Sequence, residues 1–168
     1  MPANLGILNL ACGFLLCDRS KFLAYQSPTT NNKGQMTNLA ILCVDDERII
    51  LLSLRDQISK HFGDRYRYEF AESVEEAWEV IEELSGEGIK ILIIVSDWLM
   101  PGIRGDEFLI EVHKRFPDIV TVLLSGQADE AAIERAKVHA NLHAYIPKPW
   151  DEETLINIIK SGLEKFNE

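Results

Sequence analysis

The chain has 168 residues, 46% hydrophobic and 26% charged, with a formal net charge of −10. That length allows one domain with a full core, and the acidic balance argues against nonspecific contact with nucleic acid or an anionic membrane surface. No apolar run is long enough to span a bilayer, and Cys12, Cys17 and Cys43 form neither an even disulfide framework nor a paired metal pattern, which points to a reducing cytosol.

The first 35 residues stand apart. They hold Arg19, Lys21 and Lys33 against Asp18 alone, a balance of +2 that leaves −12 for the rest. Within them "LGILNLACGFLLC" (5–17) is apolar but short. It reads as a signal-peptide core, as a docking helix for a partner, or as part of an extension ahead of a natural start at Met36. The first reading lacks a preceding Lys or Arg and a small-x-small cleavage site. "QSPTTNNKGQ" (26–35) is polar, turn-rich and linker-like. Residues 1–37 are therefore expected to be a poorly ordered or non-native extension, and residues 38–168 the domain.

From residue 39 the pattern alternates. "LAILCVDD" (39–46) is an apolar run ending in two acids, and 48–62 carries Leu51, Leu54, Ile58 and Phe62 at helical spacing. "YRYEFAE" (66–72) alternates with period two. Ser73 followed by Glu76 is a capping box opening a helix with Ala77, Val80, Ile81 and Leu84, and Gly86 and Gly88 close it. "ILIIVS" (91–96) reads as a strand buried on both faces and runs into Asp97, before Pro101, Gly102 and Gly105 break the chain. A helix over 105–116 carries Phe108, Leu109, Val112 and Phe116, and Pro117 stops it. "IVTVLLS" (119–125) is the next buried run. Residues 128–140 are helical, "LHAYI" (142–146) is a short strand, and Asp151 caps a last helix to about Phe166.

This is βα repeated five times. Regular alternation with apolar strands predicts an α/β fold, a doubly wound five-stranded parallel sheet covered by helices on both faces. Sites in such sheets form at the carboxyl ends of the strands. Asp45 and Asp46 end the first strand, Asp97 the third and Ser125 the fourth, and Lys148 follows the fifth. Singly, each has an ordinary reading: an Asp at a strand end caps a helix, Lys148 is a solvated lysine, and Ser125 before Gly126 is a loop serine. Together they crowd three carboxylates at one mouth, and such crowding costs stability unless a cation binds. Oxygen-only ligands favour Mg²⁺.

The set "VDDE" (44–47), "SDWLMPGIRG" (96–105), "LLSGQ" (123–127) and "YIPKPW" (145–150) resembles the receiver domain of two-component response regulators over about residues 38–166. The resemblance implies the (βα)5 flavodoxin-like receiver fold with strand order 2-1-3-4-5. It implies that Asp97 is the phosphoacceptor in a phosphorelay, taking a phosphoryl group from a histidine kinase or phosphotransfer protein. It implies Mg²⁺ held by Asp46 and Asp97, by Asp45 through a water, and by the backbone carbonyl of Leu99. Lys148 would pair with Asp97 and then contact a phosphoryl oxygen, which Ser125 would also bind after transfer. The Lys148–Pro149 bond would be cis. Tyr145 stands where the family often places an aromatic switch; its plainer reading is a half-buried edge-strand tyrosine.

Leu99 is apolar where relatives vary, so fast self-dephosphorylation is not expected. Gly126 leaves the site open to small donors. Trp150 is read as core packing. Trp98, beside Asp97, is either a reporter of the site or a solvent-exposed ring. His61, His113, His139 and His143 lack metal-ligand spacing, and the acidic helix over 72–87 is read as a solvated face.

The favoured function is a phosphorylation-dependent switch, cytoplasmic, without an external substrate. It would signal by protein contact through residues 128–166, to a target or a second copy, and not through nucleic acid or a membrane. Three alternatives remain. An aspartyl-phosphate phosphatase of the haloacid dehalogenase type would open a D-x-D motif after the first strand, where this chain has Asp45-Asp46. A phosphorylation-independent adaptor would have lost site residues. A receiver within a longer protein of cyclic-nucleotide output is suggested by "LSGQ" and "KPW", by loose analogy.

Overall fold

Alternate residues of a strand point to opposite faces of its sheet, and the central strands of this chain are apolar at both parities. Ala40, Leu42 and Val44 enter one core while Ile41 and Cys43 enter another. A strand built this way must be covered on both sides. The structure, a computed structural model, describes residues 37–127 and 130–166, so the readings made for residues 1–36 lie outside it.

The elements are β1 (Leu39–Val44), α1 (Arg48–Phe62), a 3-10 turn (Gly63–Arg65), β2 (Arg67–Ala71), α2 (Val74–Gly86), β3 (Lys90–Asp97), α3 (Gly105–Arg115), β4 (Val120–Ser125), α4 (Glu130–His139), β5 (Ala144–Pro147) and α5 (Glu152–Glu164). All strand pairs are parallel, in the order β2-β1-β3-β4-β5. This is the doubly wound order expected. The first core takes α2 and α3 through Val80, Ile81, Leu84, Phe108, Leu109 and Val112. The second takes α1 and α5 through Leu51, Leu54, Ile58, Leu155 and Ile159. Among the described residues no helix is long and apolar enough to cross a membrane.

The capping box closes one residue early. Ser73 Oγ accepts from Glu76 N at 3.1 Å, but Glu76 Oε2 accepts from Glu72 N at 2.7 Å instead of from Ser73. Asp151 caps α5 as expected, its Oδ1 accepting from Thr154 N at 2.8 Å. The period-two reading of 66–72 holds less well, because Glu69 is buried beside Phe70 and Ala71. Arg67, on the same side of the strand, bonds Glu69 and reaches Glu87 at 2.6 Å, and this pairing makes the burial tolerable. The fifth strand begins at Ala144, two residues later than expected. Leu142 gives its N–H to Ala136 O at the end of α4, so it is unavailable to the ladder. The expected start of α4 at residue 128 falls on two residues outside the described set.

Candidate functional site

The carboxyl ends of β1, β3, β4 and β5 lie level. Val44 pairs with Ser96, Asp97 with Leu124, and Ser125 with Pro147. One-residue steps beyond these pairs therefore bring Asp45, Asp97, Ser125 and Lys148 to a single mouth.

Lys148 is its centre. Its ammonium lies 2.6 Å from Asp45 Oδ2 and 2.6 Å from Asp97 Oδ1. The Lys148 backbone N–H donates to Ser125 O at 2.9 Å, and the Lys148–Pro149 bond is cis, as expected. Trp150 Nε1 donates to Gln57 Oε1 of α1 at 3.0 Å, which pins the loop from the far side. Trp150 is thus half-buried against the second core with its polar edge satisfied, close to its packing reading.

Asp45 is wholly buried. Its N–H still follows the strand, to Ala71 O at 3.1 Å, and its Oδ1 accepts from Glu47 N at 2.9 Å. Burial pushes its carboxyl above the usual carboxylate range, and the bonds from Lys148 and Glu47 with the Lys148 charge pull it back only in part. Burial acts on Lys148 in the opposite sense, but the bonds and charges of Asp45 and Asp97 outweigh it and hold the ammonium above its usual value. Two carboxylates thus share one cation, and Asp46 is exposed beside them. The mouth keeps an excess of negative charge.

The loop after Asp97 is held tightly. Trp98 N donates to Leu124 O at 2.8 Å, and Gly105 N donates to Trp98 O at 2.8 Å. At Gly105 a Cβ would stand 1.8 Å from Asp97 O, so no other residue fits. Leu99 is 58% exposed at the rim. Trp98 is not the solvent-exposed ring of the alternative reading. It is buried, and its Nε1 donates to Asp106 Oδ1 at 3.0 Å. On the other side, Ser125 is buried and its Oγ accepts from Gln127 N at 3.0 Å. Its carbonyl also takes the Tyr145 hydroxyl at 3.1 Å, so half-buried Tyr145 is tied to the serine loop.

Among the described residues no three His, Cys, Asp or Glu gather into a cage for a metal ion. The donors at the mouth are nonetheless all hard oxygens. They suit Mg²⁺, which takes one or two protein carboxylates and completes its shell with water and phosphate oxygens. The sequence reading assigns no site role to three residues: Gly105 is a chain break and helix start, and Asp106 and Arg135 are only parts of helices. A glycine followed by an acid at a helix start was the available signal, but it does not reveal the partner.

The family model for the response regulator receiver domain matches residues 41–160. The chain is 31% identical over 124 residues to hydrogenase transcriptional regulatory protein HoxA of Cupriavidus necator, covering 74% of this chain and 24% of that protein. It is 37% identical over 100 residues to sensor kinase CckA of Brucella abortus, covering 60% of this chain and 10% of that protein. The chain therefore spans at most about a quarter of these relatives' length. The signal receiver domain of an HD domain-containing protein from Pseudomonas fluorescens superposes with a TM-score of 0.67 at 25% identity, over 75% of this chain and 94% of that one.

Proposed function

Because the chain belongs to the response regulator receiver family of two-component systems, we propose that Asp97 is its phosphoacceptor and that a histidine kinase or phosphotransfer protein is the donor. An Asp97 carboxylate oxygen attacks the phosphorus of a phosphohistidine. The P–N bond breaks, the imidazole takes up a proton, and an aspartyl phosphate forms. The supporting observation is the Lys148 ammonium at 2.6 Å from both Asp45 and Asp97. A cation there pairs with the carboxylate before transfer and is within reach of a phosphoryl oxygen after it.

Asp46 and Asp97, Asp45 through a water, and the Leu99 carbonyl would hold Mg²⁺, which when bound offsets the charge of the transferring phosphoryl group. Ser125 Oγ leaves Gln127 N–H to donate to a phosphoryl oxygen. The Ser125 carbonyl holds the Tyr145 hydroxyl, so a shift of residue 125 is passed to that ring. Such a switch needs two states close in energy and a phosphoryl group that prefers one. Leu99, apolar and exposed, obstructs the hydrolytic water. The phosphorylated protein is expected to outlast seconds with Mg²⁺, and a half-life of seconds would overturn that part.

Output passes through α4, β5 and α5, within residues 128–166, to a protein target or a second copy. The cytoplasm is the compartment, and the chain catalyses only its own phosphorylation and dephosphorylation. HoxA and CckA are several times longer than the matched region, which favours a second reading: a receiver module of a longer protein, with an enzymatic output. An immunoblot of source cells showing a band larger than the 168-residue chain would select it.

The test is intact-mass spectrometry after incubation with acetyl phosphate and Mg²⁺, beside Asp97→Asn and an EDTA control, then with a cognate kinase. One phosphoryl group gained by the wild type alone, and only with metal, is the expected result. Equal gain by Asp97→Asn would remove Asp97 from the role. No gain from either donor would leave a phosphorylation-independent adaptor.

A further inference from the structure

Asp106 lies in the first turn of α3, is wholly buried, and holds two other elements with its two oxygens. Oδ1 accepts from Trp98 Nε1 at 3.0 Å, with Arg104 Nε 3.6 Å away. Oδ2 accepts from Arg135 Nη2 of α4 at 2.9 Å, across 29 residues of sequence. A carboxylate removed from water is costly unless it is paired and hydrogen-bonded. This one is satisfied at both ends, and it faces one way toward the Asp97 loop and the other toward α4.

Trp98 is the residue between Asp97 and Leu99. Its ring is gripped by Asp106, and its main chain is gripped by Leu124 and Gly105. The close approach of Gly105 to Asp97 O leaves the start of α3 no slack against the end of β3. Among the described residues, the buried side chains of α4 are the small Ala132 and Ala136. The Arg135 side chain is 41% exposed, so a partner arriving at α4 reaches it directly.

We infer that Asp106 is a positioning residue for phosphoryl transfer: it transmits the placement of α4, through Arg135 and Trp98, to the loop that carries Asp97 and the Leu99 carbonyl. This rests on the reading of Asp97 as phosphoacceptor. The path uses hydrogen bonds other than those of Ser125 and Tyr145. Coupling between two sites is reciprocal. An acidic group of a partner that draws Arg135 away from Asp106 therefore alters reactivity at Asp97, and phosphorylation alters that partner's affinity.

The test uses Arg135→Met, its conservative counterpart Arg135→Lys, and Asp106→Asn, which keeps an acceptor for the indole and removes the charge. The first readout is the Trp98 indole N–H resonance, assigned with Trp98→Phe. The second is the rate of Asp97 phosphorylation by acetyl phosphate, resolved into kcat and KM. Arg135→Met and Asp106→Asn are expected to move the Trp98 resonance while leaving those of Trp78 and Trp150 in place. They are expected to lower kcat by about fivefold, with Arg135→Lys recovering most of the loss. A strut that served stability alone would change the melting temperature and leave kcat at the wild-type value. An unmoved Trp98 resonance in both variants overturns the inference, as does a moved resonance with wild-type kcat. A wild type that takes no phosphoryl group fails the phosphoacceptor reading instead, and the parallel wild-type sample separates the two failures.

Discussion

Helices α3 and α4 pack side by side, each following a strand that ends at the site, but different forces hold them. α3 buries Phe108, Leu109 and Val112, and it starts against Asp97 itself. α4 buries two alanines and leaves Val138 65% exposed. Full burial of a large apolar side chain contributes about 1.5–3 kcal/mol, against about 0.8 kcal/mol for a methyl group. α3 is thus fastened by the core. α4 leans on Arg135 and Asp106, a pair whose cation is reachable from solvent. Elements that move are drawn from the weakly held end of a structure, and by this measure α4 belongs there.

The comparison breaks most readily by cutting each helix at its buried side chain. Phe108→Ala is expected to cost about 4 kcal/mol in urea unfolding, by lost burial and the cavity left behind. Ala136→Gly is expected to cost about 1 kcal/mol, mainly through helix propensity. Equal costs would mean that α4 is anchored as firmly as α3. The two loops leading into these helices invite the same cut. Gly105→Ala drives a methyl group into the Asp97 carbonyl and is expected to cost about 3 kcal/mol. Gly126→Ala meets Lys148 Cβ at 3.8 Å and Lys148 O at 3.9 Å, ordinary contacts, and is expected to stay within about 1 kcal/mol of wild type.

Ion pairing can be sharpened at the site. Lys148→Met leaves Asp45 and Asp97 facing each other without their shared cation. About 2 kcal/mol of stability should be lost, less than for a fully enclosed pair because the mouth admits water. Added Mg²⁺ should raise the melting temperature of the variant more than that of the wild type, and an equal rise would deny that the ion and the ammonium act on the same charges.

The smallest effect lies at the start of β5. Burial, with the nearby Lys165 charge, holds the His143 imidazole below its usual value, against an opposing bond from the Ile158 backbone. Its Nε2 lies 2.8 Å from Ser161 Oγ of α5. A group whose folded value is lowered in this way favours the neutral ring. Its stabilisation is complete above about pH 6.5 and is lost as the pH falls through the folded value. Urea midpoints should therefore decline slightly below pH 6.5 in the wild type, and less in His143→Gln.

Much of this was legible in the sequence because periodicity reports which faces are apolar. Helix α1 falls on the expected residues, Asp151 caps α5 as read, and Asp97 ends a strand buried on both sides. Short apolar strands alternating with amphipathic helices admit few arrangements. Parallel strands in register then bring Asp45, Asp97, Ser125 and Lys148 to one edge without any knowledge of side-chain contacts. Tertiary structure alone decided who pairs with whom. It selected Asp45 over Asp46 for the shared lysine, buried Glu69 against Arg67, and set Gly105 on the Asp97 carbonyl. It also joined Asp106 to Trp98 and Arg135. An acid in the first turn of a helix already has a local explanation in the helix dipole, so sequence offers no reason to seek a distant partner. A polar side chain finds its partner through the packing of whole elements, and that distance in space leaves no period in the chain.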